Sequence, residues 1–150
     1  MKGERVSTKN HNWAVQPYLF FEGRCEQALE FYRKTLHAEI TALVRFKDSP
    51  DPNLRSPGAE DKIMHSSFRV GETTLLADGR CQGRPSFHGF SLSLTVPNEG
   101  EADRLFTALA DGGQVQVPLG KTPFSPGFGM VADRLGVSWT IHVSSGGKIS

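Results

Sequence analysis

Apolar residues recur with helical spacing in two segments of the chain, and each segment follows a short apolar stretch. From about Arg24 to Leu36 the apolar side chains fall on one stripe, and from about Glu99 to Ala110 they follow the spacing i, i+3, i+4, i+7. Asn98 stands three residues before Glu101, as an N-cap does, and Gly112-Gly113 supplies a stop signal. The pattern therefore predicts two amphipathic helices.

Alternation of apolar and polar residues predicts strands after each helix. Lys62–Val70 and Thr73–Asp78 flank Gly71-Glu72, a two-residue loop with glycine first, as a type II′ hairpin requires. In the second half, Gly129–Ala132 and Val137–Val143 flank a four-residue turn. Each half therefore reads as strand, helix and three strands.

The two halves also resemble each other in sequence. An offset of 75 aligns Glu26 with Glu101 and Ile40 with Val115, and an offset of 74 aligns the apolar faces of the two helices. We predict an α+β domain of two pseudo-repeated βαβββ modules that enclose a small-molecule cleft. The predicted parts are a flexible arm at 1–13, a single domain at 14–144 with modules at about 14–80 and 88–144, and a tail at 145–150. Three Pro/Gly-rich loops are predicted: Asp48–Asp61, Gly79–Gly89 and Lys121–Gly127.

Composition and charge narrow the function classes. The chain has 150 residues and a net charge of +1, which gives no broad field for nucleic acid or anionic lipid. No apolar stretch approaches the length of a membrane span, and the N-terminus does not have the pattern of a secretory signal. Two cysteines, Cys25 and Cys81, make no disulfide framework and fit a reducing cytoplasm. Cys25 lies near a helix start, so it is either a thiol of lowered pKa or a small half-buried residue.

The hairpin turn predicts a register that brings polar residues to one face. If Val70 pairs with Thr73, then His65 faces Asp78, and an opposed His/Asp pair could orient the imidazole for acid–base work. The alternative is a partly solvated structural pair at the open end of the hairpin. The residues predicted to share this face are His65, Ser67, Arg69, Thr74, Leu76 and Asp78.

The strands of the second half have a polar face as well. Ser91 and Ser93 alternate with apolar residues in Phe90–Val96, and Thr140 and His142 do so in the last strand. We expect these four side chains to face one shared concavity. His142 is a candidate ligand-binding residue, although one histidine on a polar face is more often exposed or hydrogen-bonded.

Several segments together resemble one protein family. They are PYLFFEGRCEQALEFYRKTL, DKIMHSSFRVGETTLLADG, FHGFSLSLTVPNEGEADRLFTALADGGQVQVPLGKT and FSPGFGMVADRLGVSWTIHV. Over about residues 16–143 the chain resembles the PhnB-like branch of the glyoxalase/bleomycin-resistance/extradiol-dioxygenase (vicinal oxygen chelate) superfamily. The resemblance implies paired βαβββ modules that form a half-barrel cleft, usually in a homodimer.

The resemblance also implies where a metal would bind. Metal-dependent members place His, Gln or Glu at four cleft positions, which fall here on Gln16 or Pro17, Leu76 or Ala77, Ser91, and Thr140. These residues are mostly unsuited to a divalent metal, so no metal ligand is assigned, although Asp78, His65 and His142 could converge to form a relocated site. Members of this branch are often described as ubiquinone-methyltransferase-like, but the sequence has no methyl-donor-binding loop.

Three functions remain open, and the sequence does not choose between the first two. The first is an enzyme, a lyase, isomerase or oxygenase acting on a small oxygenated substrate, with His65 and Asp78 as catalytic residues. The second is a non-catalytic, drug-sequestering homodimer of the bleomycin-resistance type. The third is a dimerising module whose cleft is filled by its own loops and binds no ligand. The predicted substrate-binding residues are Tyr18, Arg69, Ser91, Ser93, Thr140 and His142, and in the second function the ligand lies among Tyr18, Phe20, Phe124, Phe128 and Trp139.

Overall fold

The computed structural model describes residues 11–51, 53, 58–80 and 86–144. The first module consists of β1 (Tyr18–Phe20), α1 (Cys25–Leu36), β2 (Glu39–Arg45), a short 3₁₀ helix (Phe46–Asp48), β3 (Ile63–Val70) and β4 (Thr73–Asp78). The second consists of β5 (Leu92–Val96), α2 (Glu99–Ala110), β6 (Gln114–Thr122), β7 (Ser125–Ala132) and β8 (Ser138–Val143). The predicted order of elements, βαβββ twice, is confirmed.

Each module forms its own four-stranded mixed sheet. The strand orders are β1-β4-β3-β2 and β5-β8-β7-β6, so the two sheets have the same topology. In each, the first strand pairs parallel with the last, and the remaining pairs are antiparallel. The internal repeat seen in the sequence is therefore a repeat of whole supersecondary units.

Local signals fix the helix ends and the first hairpin. The Asn98 side chain accepts a hydrogen bond of 2.8 Å from the backbone N–H of Glu101, and α2 spans the predicted residues. Gly71 has φ +58° and Glu72 is not among the residues of positive φ, as a type II′ turn demands. The predicted register, Val70 opposite Thr73, is confirmed.

The apolar faces of both sheets contribute to one core through the first helix. Tyr32, fully buried on α1, stacks on Phe68 of the first sheet and meets Trp139 of the second edge-on. Its hydroxyl donates a 2.6 Å hydrogen bond to the Asp133 carboxylate, which also accepts from the Trp139 indole N–H. Since the apolar faces turn toward this core, the polar face of each sheet turns away from it.

Two of the predicted features need comment. The loop predicted at Lys121–Gly127 is wrong, because β6 runs to Thr122 and β7 starts at Ser125, which leaves a tight hairpin turn at Pro123-Phe124. The loops at Asp48–Asp61 and Gly79–Gly89 lie only partly within the described residues. Most of the predicted arm and the tail after Ser144 lie outside them.

Candidate functional site

The polar face of the first sheet brings together residues from three strands. Tyr18 of β1 pairs with Leu76 of β4, and Ser67 of β3 pairs with the same Leu76. The ladder between β3 and β4 ends at Ser66 opposite Ala77, so His65 and Asp78 lie one step beyond its last pair. The predicted hairpin register is confirmed. The His65 and Asp78 side chains are connected by hydrogen bonds to a third side chain.

That third side chain is Tyr18, whose hydroxyl lies between His65 and Asp78. It is 3.1 Å from Nδ1 of His65 and donates a 3.3 Å hydrogen bond to Oδ2 of Asp78. A phenol has one proton, so when it donates to Asp78 the bond to His65 requires Nδ1 to be the donor. This arrangement places the proton of a neutral His65 on Nδ1 and leaves the Nε2 lone pair available.

Asp78 is the fixed end of this chain of hydrogen bonds. Its side chain is 0% exposed and pairs with the Arg80 guanidinium, which donates to Oδ2 at 2.7 and 2.9 Å. The backbone N–H of Arg80 donates to the other oxygen at 3.2 Å. Burial and the neighbouring Asp78 charge raise the pKa of Tyr18. The phenol therefore stays protonated at neutral pH and serves as a donor, not as a base.

The polar face of the second sheet carries a network of hydroxyl groups. Ser91 Oγ lies 2.8 Å from Thr140 Oγ1 and 3.2 Å from the carbonyl oxygen of Ser138. Ser138 Oγ donates to Oε1 of Gln116 at 2.9 Å and is 3.3 Å from Ser91 Oγ. Ser93 pairs with Thr140 across β5 and β8 and is exposed.

An aromatic cluster adjoins this network at the β6–β7 hairpin. His142 pairs across the sheet with Phe128, and the Phe124 ring lies 6.3 Å from the His142 ring. Phe124 packs edge-on against Phe128 and is 60% exposed. Trp139 was predicted among the ligand-facing aromatics, and this is wrong, because it points into the core beneath the sheet and is 2% exposed.

The remaining predicted residues lie on the first sheet. Arg69 is exposed and forms an ion pair with Glu39 across β2 and β3. Phe20 stacks on Tyr18 with ring centroids 5.0 Å apart and is 47% exposed. Grooves of about 290 to 490 Å³ in the described part of the chain lie elsewhere, against the two helices and the turn between β7 and β8. Phe20 on the first polar face and Ser93 on the second are exposed, so both faces are accessible in a single chain.

Comparison with known proteins places this chain among its relatives. A family model described as 3-demethylubiquinone-9 3-methyltransferase matches residues 14–142. Escherichia coli (strain K12) Protein YjdN is 32% identical over 138 residues, which cover 86% of this chain and 94% of YjdN. The chain belongs to this family.

Solved structures agree with that membership. Protein PA1353 from Pseudomonas aeruginosa is 40% identical with a TM-score of 0.77, over 87% of this chain and 98% of PA1353. A Bacillus cereus PhnB protein is 29% identical with a TM-score of 0.74, over 88% of this chain and all of that one (100%). A glyoxylase/bleomycin resistance protein/dioxygenase domain from Frankia, 14% identical with a TM-score of 0.62 over 91% of this chain and 100% of that one, shares the fold. The PhnB-like resemblance and the superfamily fold are confirmed.

The metal that the superfamily implies does not fit the residues present here. Of the positions that the resemblance implies, Leu76 offers no ligand atom, Ser91 and Thr140 hydrogen-bond to each other, and the exposed Gln16 alone carries an amide oxygen. Among the described residues, no three His, Cys, Asp or Glu side chains group closely enough to hold a metal ion. The relocated site of Asp78, His65 and His142 is therefore wrong for a single chain.

The surroundings of Cys25 decide between the two predicted roles of its thiol. The thiol is 1% exposed, lies 3.7 Å from the Ser66 hydroxyl, and has its pKa raised to about 12 by burial. A reactive thiol of lowered pKa at this helix start is therefore wrong.

Sequence reasoning missed two contributors to the site. It assigned Tyr18 to substrate binding, whereas the hydroxyl bridges the two predicted catalytic residues. It did not consider Arg80, although a residue two positions after Asp78 has the same strand parity and a charge that suits a buried carboxylate.

Proposed function

We propose that this protein binds a small oxygenated molecule against the polar face of its first sheet and exchanges a proton with it through His65. The observation that supports the proposal is the Tyr18 hydroxyl, which lies within hydrogen-bond distance of both His65 Nδ1 and Asp78 Oδ2. A histidine held at Nδ1 by a phenol that is itself anchored by a carboxylate has the orientation expected of a general base. The reaction class that follows is proton abstraction next to a carbonyl, as in an isomerase or lyase.

The roles divide as follows. His65 Nε2 accepts the proton, and Tyr18 and Asp78 are positioning residues, because they act on the substrate only through the imidazole. Arg80 gives the buried Asp78 carboxylate a charged partner inside the protein, because its guanidinium forms an ion pair with Oδ2. The positive charge that His65 gains after proton transfer is stabilised by Asp78 through the Tyr18 hydroxyl.

The test is deuterium exchange at the carbon next to a carbonyl. Hydroxyacetone is incubated with the protein in D₂O, and loss of its methylene proton signal is followed by NMR. We expect exchange above the buffer rate that His65→Gln abolishes and Tyr18→Phe slows. His88→Gln is the matched control, since His88 is exposed and belongs to the segment between β4 and β5, not to a strand of the first sheet. Exchange no faster than in buffer, or unchanged in His65→Gln, would contradict the proposal.

A second candidate is the sequestering binder, which the aromatic surfaces favour. Phe124 and Phe128 on one sheet and Tyr18 and Phe20 on the other offer ring faces for a planar ligand. Equilibrium dialysis with bleomycin tests this function directly. Binding that Phe124→Ala weakens, without any proton exchange by the protein, would favour sequestration over catalysis.

We also propose that the protein acts as a homodimer in the cytoplasm. The polar faces turn away from the shared core and are open in one chain, so a second copy could close them into clefts. Sedimentation equilibrium with the full chain tests this, and a monomer at all concentrations would contradict it. Neither helix among the described residues is long and apolar enough to cross a membrane. We do not extend the methyl transfer in the family's description to this chain, because the sequence has no methyl-donor-binding loop.

A further inference from the structure

We infer that the polar face of the second sheet has become a metal-free binding site for a neutral oxygen-bearing group, with Thr140 and Ser91 as its hydrogen-bonding residues. This inference rests on the proposed function, since it names the class of ligand that the same protein would take. The residues at the metal positions that the resemblance implies do not suit a metal ion.

The two inherited positions on this sheet are filled by hydroxyl groups that bind each other. Ser91 Oγ and Thr140 Oγ1 are 2.8 Å apart, a normal O–H···O hydrogen bond. Neutral hydroxyls are weak ligands for zinc or nickel, and these positions carry none of the thiolate, imidazole or carboxylate groups that hold such ions. A ligand oxygen at this place would therefore be held by hydrogen bonds.

The hydrogen bonds within the network determine which hydroxyl protons and lone pairs remain free to bind a ligand. Ser138 donates to Gln116, so its proton is committed. If Ser91 donates to the Ser138 carbonyl, Thr140 donates to Ser91 and presents lone pairs outward. If Ser91 donates to Thr140 instead, the Thr140 proton is free for an incoming carbonyl or ether oxygen. Reorienting these hydroxyls lets Thr140 meet either a donor or an acceptor on the ligand.

The charges around the two faces favour a neutral ligand. On the first sheet the exposed Arg69 is paired with Glu39, and Arg80 is paired with the buried Asp78. The hydroxyl network of the second sheet carries no charge. An anion would have to compete with a carboxylate for either arginine, whereas a neutral hydroxyl or carbonyl group would not.

The first experiment uses three small probes of matched size and different charge: hydroxyacetone, glycolate and ethanolamine. Each is titrated into the full-length protein while backbone amide shifts are followed by NMR. We expect hydroxyacetone to move the Thr140 and Ser91 amides and to bind at least about tenfold more tightly than either ion. Glycolate or ethanolamine binding as tightly at these residues, or no shift of these amides at any concentration of hydroxyacetone in the titration, would overturn the inference.

Variants separate the hydroxyl from the shape of the side chain. Thr140→Val removes the hydroxyl at nearly constant volume and should abolish the shifts, while Thr140→Ser should retain them. Thr95→Val is the matched control, because Thr95 lies on the same face of the sheet, opposite His142. Ser91→Ala is a second test that does not alter β8. Shifts that persist in both Thr140→Val and Ser91→Ala would overturn the assignment.

The second experiment addresses metal. Protein without a histidine tag is incubated with Zn²⁺, Ni²⁺ or Mn²⁺, dialysed and subjected to elemental analysis. We expect less than one equivalent of each ion. One equivalent that is lost in Thr140→Val or Ser91→Ala would overturn the inference. Proton exchange that depends on His65, while hydroxyacetone leaves the Thr140 and Ser91 amides unmoved, would overturn this inference and leave the proposed function intact.

Discussion

Replacing Tyr32 by Phe removes one hydroxyl from the junction of the two modules. That hydroxyl is fully buried and donates at 2.6 Å to Asp133, whose same oxygen also accepts from Trp139 at 2.8 Å. The other Asp133 oxygen accepts from the backbone N–H groups of Leu135 and Val137. A hydrogen bond to a charged group contributes about 1.5–3 kcal/mol. Because Asp133 keeps its other donors, we expect the free energy of unfolding to fall by about 2 kcal/mol.

Urea denaturation measures that loss. With a slope of about 2 kcal/mol/M, the midpoint should fall by about 1 M while the slope stays unchanged. For a chain of this size, the melting temperature should drop by about 4–8 °C. Tyr18→Phe is the internal control, because Tyr18 is the other of the chain's two tyrosines. Its side chain is half-buried, and its hydroxyl makes longer hydrogen bonds than that of Tyr32 does. A Tyr32→Phe protein as stable as Tyr18→Phe would refute this account of the junction.

Three further predictions concern buried groups and close backbone contacts. Burial and the Asp133 charge hold the pKa of Tyr32 well above its ordinary value. Above about pH 10 the phenol ionises in the unfolded chain but not in the folded one, so the free energy of unfolding falls as pH rises. In Tyr32→Phe, urea denaturation should show a smaller fall of that free energy with pH. In a Cys81→Ser protein, Cys25 should react with a disulfide reagent only on unfolding, and fast labelling of the folded protein would contradict its burial. Gly113→Ala should destabilise by about 1–3 kcal/mol or more, because its Cβ would lie 2.1 Å from a backbone oxygen, whereas Gly120→Ala, with open space around it, should not.

Elements whose signals are local could be predicted closely from the sequence. Asn98 and the glycines after Ala110 define the ends of α2, since an N-cap side chain and a glycine stop act within a turn of the helix. The Gly71-Glu72 turn sets the register of β3 against β4, because a two-residue loop allows one pairing.

Features that depend on distant contacts could not be predicted. Pro126 and Gly127 gave Lys121–Gly127 the composition of a loop, yet both lie inside β7. Gly127 is needed there because a Cβ would lie 2.8 Å from the Val143 side chain, a contact that only the folded sheet creates.

The candidate site shows the same division between local and distant information. The hairpin brought His65 near Asp78, but the bridging Tyr18 comes from a strand 47 residues before His65. Its position depends on the parallel pairing of β1 with β4, and a parallel pair has no turn to fix its register.

In the candidate site, Tyr18 and Asp78 hold His65 with its proton on Nδ1. Long-range ¹H–¹⁵N NMR of the imidazoles, at a pH where His65 is neutral, reports which ring nitrogen carries the proton. We predict the Nδ1–H form for His65, lost in Tyr18→Phe, while the exposed His88 shows no such preference. An Nε2–H form for His65, or a tautomer average that Tyr18→Phe leaves unchanged, would show that Tyr18 and Asp78 do not hold the imidazole.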